Sequence, residues 1–99
     1  MGKAPKLSDA ELESALIQLG GWQVVEGKLH KEFRFADFVH AFGFMSAAAL
    51  RIERMNHHPE WFNVYGTVRV ELTTHDSGGI TAKDVELAGI LNELAAKLQ

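Results

Sequence analysis

The chain has 99 residues, 46% of them apolar and 23% charged, the balance of one ordinary globular domain rather than a disordered segment. It holds no cysteine, which excludes disulfides, a thiolate zinc site and a cysteine nucleophile and leaves the cytoplasm as the expected location. A net charge of −3 with dispersed lysines and arginines argues against direct nucleic-acid binding. No apolar run resembles a signal peptide or approaches the ~20 residues of a membrane span, so no membrane association is expected.

A single domain over residues 1–99 is expected, with residues 1–7 a flexible N-terminal segment. Ser8-Asp9-Ala10-Glu11 is a capping box, and Leu12, Ala15, Leu16 and Leu19 follow at helical spacing, predicting a helix over about Asp9–Leu19. Gly20-Gly21 ends it. Trp22 to Glu26 then reads as a strand, Gly27 as a turn and the segment after it as a returning strand, with Leu29, Phe33 and Phe35 on one parity. Lys31 shares that apolar parity, which places it at a sheet margin.

Asp37 is an N-cap candidate for a long helix that ends before Pro59, since proline disfavours a helical residue before it. Phe38, Phe42, Met45, Ala49 and Ile52 are the expected core stripe of that helix. A second row, Phe44, Ala47, Ala48, Arg51 and Met55, is surplus to one sheet and points to subunit contact. Trp61 to Tyr65 and Val68 to Thr74 flank Gly66-Thr67, a glycine-first pair that suits a hairpin turn. Val68, Val70 and Leu72 are expected to face the helices, with Arg69, Glu71, Thr73 and His75 on the other parity unless a bulge intervenes. Thr81 and Asp84 cap a last helix whose buried face is Leu87, Ala88, Leu91, Leu94, Ala95 and Leu98. The order is αββαββα. Strands in adjacent pairs predict an α+β fold, a four-stranded antiparallel sheet with three helices on one face.

Chemistry concentrates in Glu53 to Phe62 and Thr73-Thr74-His75, which hold three imidazoles, a carboxylate and an indole. Imidazole titrates near neutrality, with an ordinary pKa of about 6.5, so the cluster suits proton transfer. Glu53 lies one helical turn before His57 and is placed to orient it, and His57 and His58 would point roughly 100° apart if the helix persists. Taken singly, each residue has a plainer account: His57 and His58 as cationic helix caps, Trp61 and Phe62 as core, Glu53 as a solvated helix residue. Zinc is the competing use of three histidines, but adjacent His57-His58 chelates poorly on a helix, where ligands usually sit at i and i+4, and no bound metal is the resulting expectation. No nucleophile elbow surrounds Ser46 or Ser77, and no glycine-rich phosphate loop is present.

The pattern Glu53-x3-His57-His58-Pro59-x5-Tyr65-x9-His75-x8-Asp84 resembles the signature of the pterin-4a-carbinolamine dehydratases, also known as dimerisation cofactors of a homeodomain transcription factor. Phe35-Ala-Asp-Phe38, Ala41 to Met45 and the block His57 to Tyr65 extend the resemblance over nearly the whole chain. It implies dehydration of 4a-hydroxytetrahydrobiopterin to quinonoid dihydropterin, in tetrahydrobiopterin recycling for aromatic amino-acid hydroxylation, with no cofactor. By motif position, His57 and His75 become the acid/base residues, His58 the pterin-binding and orienting histidine, and Glu53 a polarising carboxylate. Pro59, Trp61, Thr73, Thr74 and Asp84 become site-lining or supporting residues. Asp84 also reads as a helix-start carboxylate, and Tyr65 as a core aromatic. The resemblance further implies a homodimer or homotetramer and a protein partner, either the hydroxylase system or a transcription factor. A binding module that stabilises a transcription factor dimer, with or without catalysis, is the alternative function.

Overall fold

Residues 4–99 are described by the computed structural model. At the start, Ser8 Oγ accepts from the Glu11 amide while Glu11 Oε1 accepts from the Ser8 amide, the reciprocal cap that opens helix α1 at Asp9–Leu19. Strands β1 (Gln23–Val25) and β2 (Lys28–Arg34) are joined by Glu26-Gly27, both at positive φ, as a tight right-twisted hairpin requires. Helix α2 (Phe38–Met55) starts at Asp37, whose side chain accepts from the His40 amide. Strands β3 (Glu60–Val64) and β4 (Thr67–Leu72), a 3-10 turn at His75–Ser77 and helix α3 (Ala82–Leu98) complete the chain.

The sheet is antiparallel in the order β1-β2-β4-β3, so β2 and β4 are its central strands. Leu29 and Phe33 on β2, with Val68, Val70 and Leu72 on β4, are buried beneath the helices, whereas Glu32, Arg34 and Arg69 lie on the open face. The expected α+β architecture and element order are therefore observed. Of the segment 1–7, expected to be flexible, Lys6 bridges to Thr81 and the Leu7 amide donates to Ile80 O at 2.9 Å, so its end is held by backbone hydrogen bonds.

Four local expectations are corrected. The buried stripe of α2 is rotated from the expected one: Phe44 and Ala48 of the second row are buried together with Ala41, while of the expected core stripe Ile52 is buried and Met45 partly so, but Phe38 and Phe42 are about half exposed and Ala49 faces out. Phe44 is gripped between Phe33 and Phe35, with ring centroids at 5.0 and 5.1 Å, and this contact fixes the rotation of the helix. The hairpin turn is Tyr65-Gly66 rather than Gly66-Thr67, because Val64 pairs with Thr67. Glycine is required there by closeness: a Cβ on Gly66 would lie 2.5 Å from Phe35 O, and Gly66 O accepts from the Phe35 amide. Lys31 is on a central strand, not a margin. Its Nζ donates to Asn92 Oδ1 on α3 at 2.8 Å and to Gly20 O at the end of α1 at 3.2 Å, and the same ammonium lies 4.8 Å from the centroid of the Phe33 ring, so the charge is met by two oxygens and an aromatic face.

The last correction bears on the site. Helix α2 ends before Pro59, as expected, but already at Met55 and so ahead of the two histidines that were placed at its end, because Asn56 takes the left-handed conformation at φ 52°. The Asn56 amide donates to Glu53 O and the His57 amide to Ile52 O, the paired bonds of a Schellman turn. His57 and His58 are consequently off the helix.

Candidate active site

That turn separates the two adjacent imidazoles. His57 is directed inward and is 9% exposed, whereas His58 points outward. Inside, His57 meets the start of α3. Thr81 and Asp84 form a complete capping box there, with Asp84 Oδ2 accepting from the Thr81 amide at 2.9 Å. The same oxygen accepts from Thr74 Oγ1 at 2.8 Å, and the Thr74 and Thr81 hydroxyls share a further hydrogen bond. With Oδ2 so engaged, Asp84 Oδ1 is left for His57 Nε2 at 2.6 Å. Asp84 and Thr81 have no exposure, and no buried side-chain nitrogen or oxygen among the described residues lacks a partner. A carboxylate oxygen only accepts, so Nε2 carries the proton in this contact and Nδ1 is the nitrogen free for other chemistry.

Glu53 does not orient His57, as its helical spacing had suggested. It pairs with His58 instead, Oε1 lying 3.7 Å from Nε2, because the Schellman turn swings His57 under the sheet end and leaves His58 over the last turn of α2. His75 has a matching partner: its Nε2 is 3.7 Å from Glu60 Oε2. Glu60 Oε1 in turn accepts from Lys28 Nζ at 2.7 Å, and this lysine bond, with His75 as a lesser contributor, holds the Glu60 carboxyl below the usual carboxylate range.

Antiparallel pairing explains why these pieces share one end of the sheet. Glu60, the first residue of β3, pairs with Glu71 near the end of β4. The His57-His58-Pro59 lead-in and the Thr73-Thr74-His75 exit therefore adjoin, and the cap of α3 closes them from below. His75 lies in the 3-10 turn after β4, so strand parity does not set its direction. Thr74 is drawn in to Asp84 and also bridges to Gly79. Thr73 has no side-chain hydrogen bond among the described residues, and Pro59 links His58 to β3 half buried. Trp61 is half buried on the helix side, opposite Val70, where it and Phe42, Met45, Ser46 and Ala49 line an apolar groove of about 220 Å³. Tyr65 is exposed at the hairpin tip rather than being a core aromatic. Among the described residues, no three histidine or carboxylate side chains converge closely enough to hold a metal ion.

Two participants were not legible as site residues. By sequence Thr81 reads only as a helix cap. Glu60 has no motif to mark it, and its place directly after His57-His58-Pro59 is the one available signal.

Comparison with known proteins gives one answer. The family model described as pterin 4 alpha carbinolamine dehydratase matches residues 5–94. A protein of Solibacter usitatus named for pterin-4-alpha-carbinolamine dehydratase is 64% identical over 91 residues, covering 92% of this chain and 96% of that one. A protein of Rhodopseudomonas palustris, strain BisB18, with the same name is 50% identical over 95 residues, covering 94% of each. A crystal structure from Brucella melitensis, described as a transcriptional coactivator/pterin dehydratase, superposes with a TM-score of 0.88 at 46% identity, covering 91% of this chain and 98% of that one. A match over nearly the whole length, by sequence and by fold alike, means that this chain belongs to the pterin-4a-carbinolamine dehydratase family.

Proposed function

We propose that the chain is a hydro-lyase that dehydrates 4a-hydroxytetrahydrobiopterin to quinonoid dihydropterin and water by histidine acid/base catalysis. The observation that carries this reading is the buried His57–Asp84 pair at 2.6 Å, set beside two exposed histidines that each have a carboxylate within 3.7 Å. Hydroxide leaves C4a poorly, so an imidazolium gives its proton to the 4a-oxygen as the C–O bond breaks. The electrons of the N5–H bond form the new C4a=N5 double bond, and a neutral imidazole takes that proton. Water departs, and the ring that took the N5 proton releases it to solvent while the other takes one up, which restores both for the next turnover.

His57 suits one of these roles because Asp84 fixes its tautomer and direction, leaving Nδ1 to exchange the proton, the service a buried aspartate gives an imidazole in hydrolase triads. His75 suits the other because it is open to substrate and solvent. His58, with Glu53, binds and orients the pterin, and Trp61, Pro59, Thr73 and Thr74 shape or support the site. A dehydration assay on freshly generated 4a-hydroxytetrahydropterin tests the reading. Acceleration above the uncatalysed rate is expected, and its absence refutes it. EDTA treatment is expected to leave the rate unchanged, and stoichiometric zinc whose removal abolishes turnover would replace this mechanism with a metal-activated one.

A second reading concerns protein contact. On α2, Phe38, Val39, Phe42 and Leu50 are 49%, 73%, 55% and 75% exposed, an apolar face that joins the Trp61 groove. This face, not the Phe44 and Ala48 row, is proposed to join copies of the chain into a homodimer or homotetramer, and it is also the surface on which a transcription factor would dock if the chain has coactivator activity. Phe42→Asp is expected to shift the species seen by light scattering toward monomer with unchanged circular dichroism. A monomeric wild type, or an unchanged oligomer in the variant, refutes this placement.

A further inference from the structure

We propose that Glu60, anchored by Lys28, is a positioning residue for His75. The site contains three histidines and each has a carboxylate: Asp84 for His57, Glu53 for His58 and Glu60 for His75. The first two carboxylates are named positions of the dehydratase pattern, whereas Glu60 falls at an unspecified position between Pro59 and Tyr65. It differs from Glu53 in a way that matters. Glu53 is on the exposed side of α2 with only His58 as a charged partner among the described residues, whereas Glu60 is on a registered strand and uses its two oxygens in opposite directions.

One oxygen takes the ammonium of Lys28 at 2.7 Å and the other faces His75 Nε2 at 3.7 Å. Lys28 is on β2 and Glu60 on β3, with β4 between them, so the bridge crosses the open face of the sheet at the end from which the Thr73-Thr74-His75 segment leaves. A carboxylate so tethered cannot follow His75 into solvent, and the imidazole is drawn to it. That restriction matters for this histidine in particular. His57 is fixed by burial, but His75 is on a short 3-10 turn with its side chain 82% exposed, and the Glu60 carboxylate is its one recorded polar partner among the described residues. A proton carrier that must reach the substrate needs its direction set before substrate arrives. Lys28 sets Glu60, and Glu60 sets His75.

The inference rests on the dehydratase reading, so its test has an arm that does not need activity. Glu60→Gln keeps the size of the side chain and removes the charge. In the dehydration assay it is expected to lower kcat by about two- to five-fold, the scale of one exposed ion pair, with KM changed less. Lys28→Met is expected to lower kcat in the same direction by a smaller factor. In a His75→Ala background, Glu60→Gln is expected to add no further loss, the coupling that distinguishes action through His75 from a general effect. By NMR at fixed pH, the His75 ring resonances are expected to move in Glu60→Gln while those of His57 stay in place. Wild-type kcat in Glu60→Gln, an equal loss with and without His75, or unmoved His75 resonances would each overturn the proposal. A wild-type protein without dehydratase activity would overturn the functional reading, and the ring resonances would still decide whether Glu60 positions His75.

Discussion

Helix α3 carries two polar clusters that look alike and do different things. At its start, Asp84 gathers Thr81, Thr74 and His57. Further along, Asn92 gathers Trp22, Lys31 and the end of α1: Oδ1 accepts from Trp22 Nε1 at 2.9 Å and from Lys31 Nζ at 2.8 Å, while Nδ2 donates to Leu19 O and Gly20 O. Both join the helix to distant parts of the chain through fully partnered side chains. The difference is that the Asn92 cluster ends on itself, whereas the Asp84 cluster holds an imidazole with one nitrogen unused and opens onto two exposed histidines. Buried polarity alone marks a structural joint. A titratable ring held in one orientation with a free nitrogen at an open end marks chemistry.

The sharpest way to break this distinction is to compare substitutions on either side of the Asp84 contact. His75→Ala and His58→Ala remove exposed rings, so each is expected to lower the dehydration rate by about 10²-fold or more and leave the melting temperature near that of wild type. Asp84→Ala releases Thr74, the Thr81 amide and His57 together. It is expected to lose a similar factor in rate and also about 3 kcal/mol of stability, since a buried paired group is left without its partner. Thermal unfolding alongside the assay separates the cases. An Asp84→Ala protein as stable as wild type, or a His75→Ala protein with wild-type rate, would show that the two halves of the site are not divided in this way.

The Asn92 cluster should give the converse. Asn92→Ala leaves the Trp22 indole N–H, the Lys31 ammonium and two carbonyls without their common partner, and about 2 kcal/mol of destabilisation is expected. Denaturant unfolding measures it. Once folded, the variant should dehydrate substrate at the wild-type rate, and a large fall in kcat would mean that the two clusters communicate along α3.

Elements whose signals are local were legible in the sequence, and features set by rotation or by distant partners were not. The Ser8 and Thr81 boxes each lie within four residues, so α1 and α3 begin where they were expected to. The rows of α2 could not be assigned in the same way, because apolar residues surround the helix and only the packing of Phe44 between Phe33 and Phe35 selects the buried one. The site shows the same limit. Glu53 and His57 have ideal helical spacing, yet left-handed Asn56 ends the helix before that spacing applies, and the true partner of His57 is far along the chain on α3. Asparagine's tolerance of that conformation was the one visible warning. Glu60 was illegible as a site residue because both its partners are remote in sequence and meet it only across the finished sheet.

The smallest expected effect concerns the one charge that the structural cluster holds. Burial pushes the Lys31 ammonium below its ordinary pKa of 10.5, in spite of its two oxygen partners. In the pH window between the lowered folded value and 10.5, the unfolded chain binds more protons at this position than the folded one. Unfolding free energy therefore gains a positive slope there: the cost of covering the charge is fully present below the folded pKa and is relieved as pH rises toward 10.5. Lys31→Met keeps most of the aliphatic stem and removes the titrating group. Denaturant unfolding of both proteins from neutral pH to about pH 10 is expected to show the wild type gaining on the variant as pH rises. The difference isolates Lys31 from the opposite contribution of Lys28, which is raised by Glu60 and is common to both proteins. A difference that is flat with pH would mean that solvent screens Lys31 in the folded chain, and one that falls would mean that its bonds to Asn92 and Gly20 outweigh desolvation. Dehydratase activity should be the same in both proteins, because this charge, unlike the imidazoles at the other end of α3, has no nitrogen left to offer a substrate.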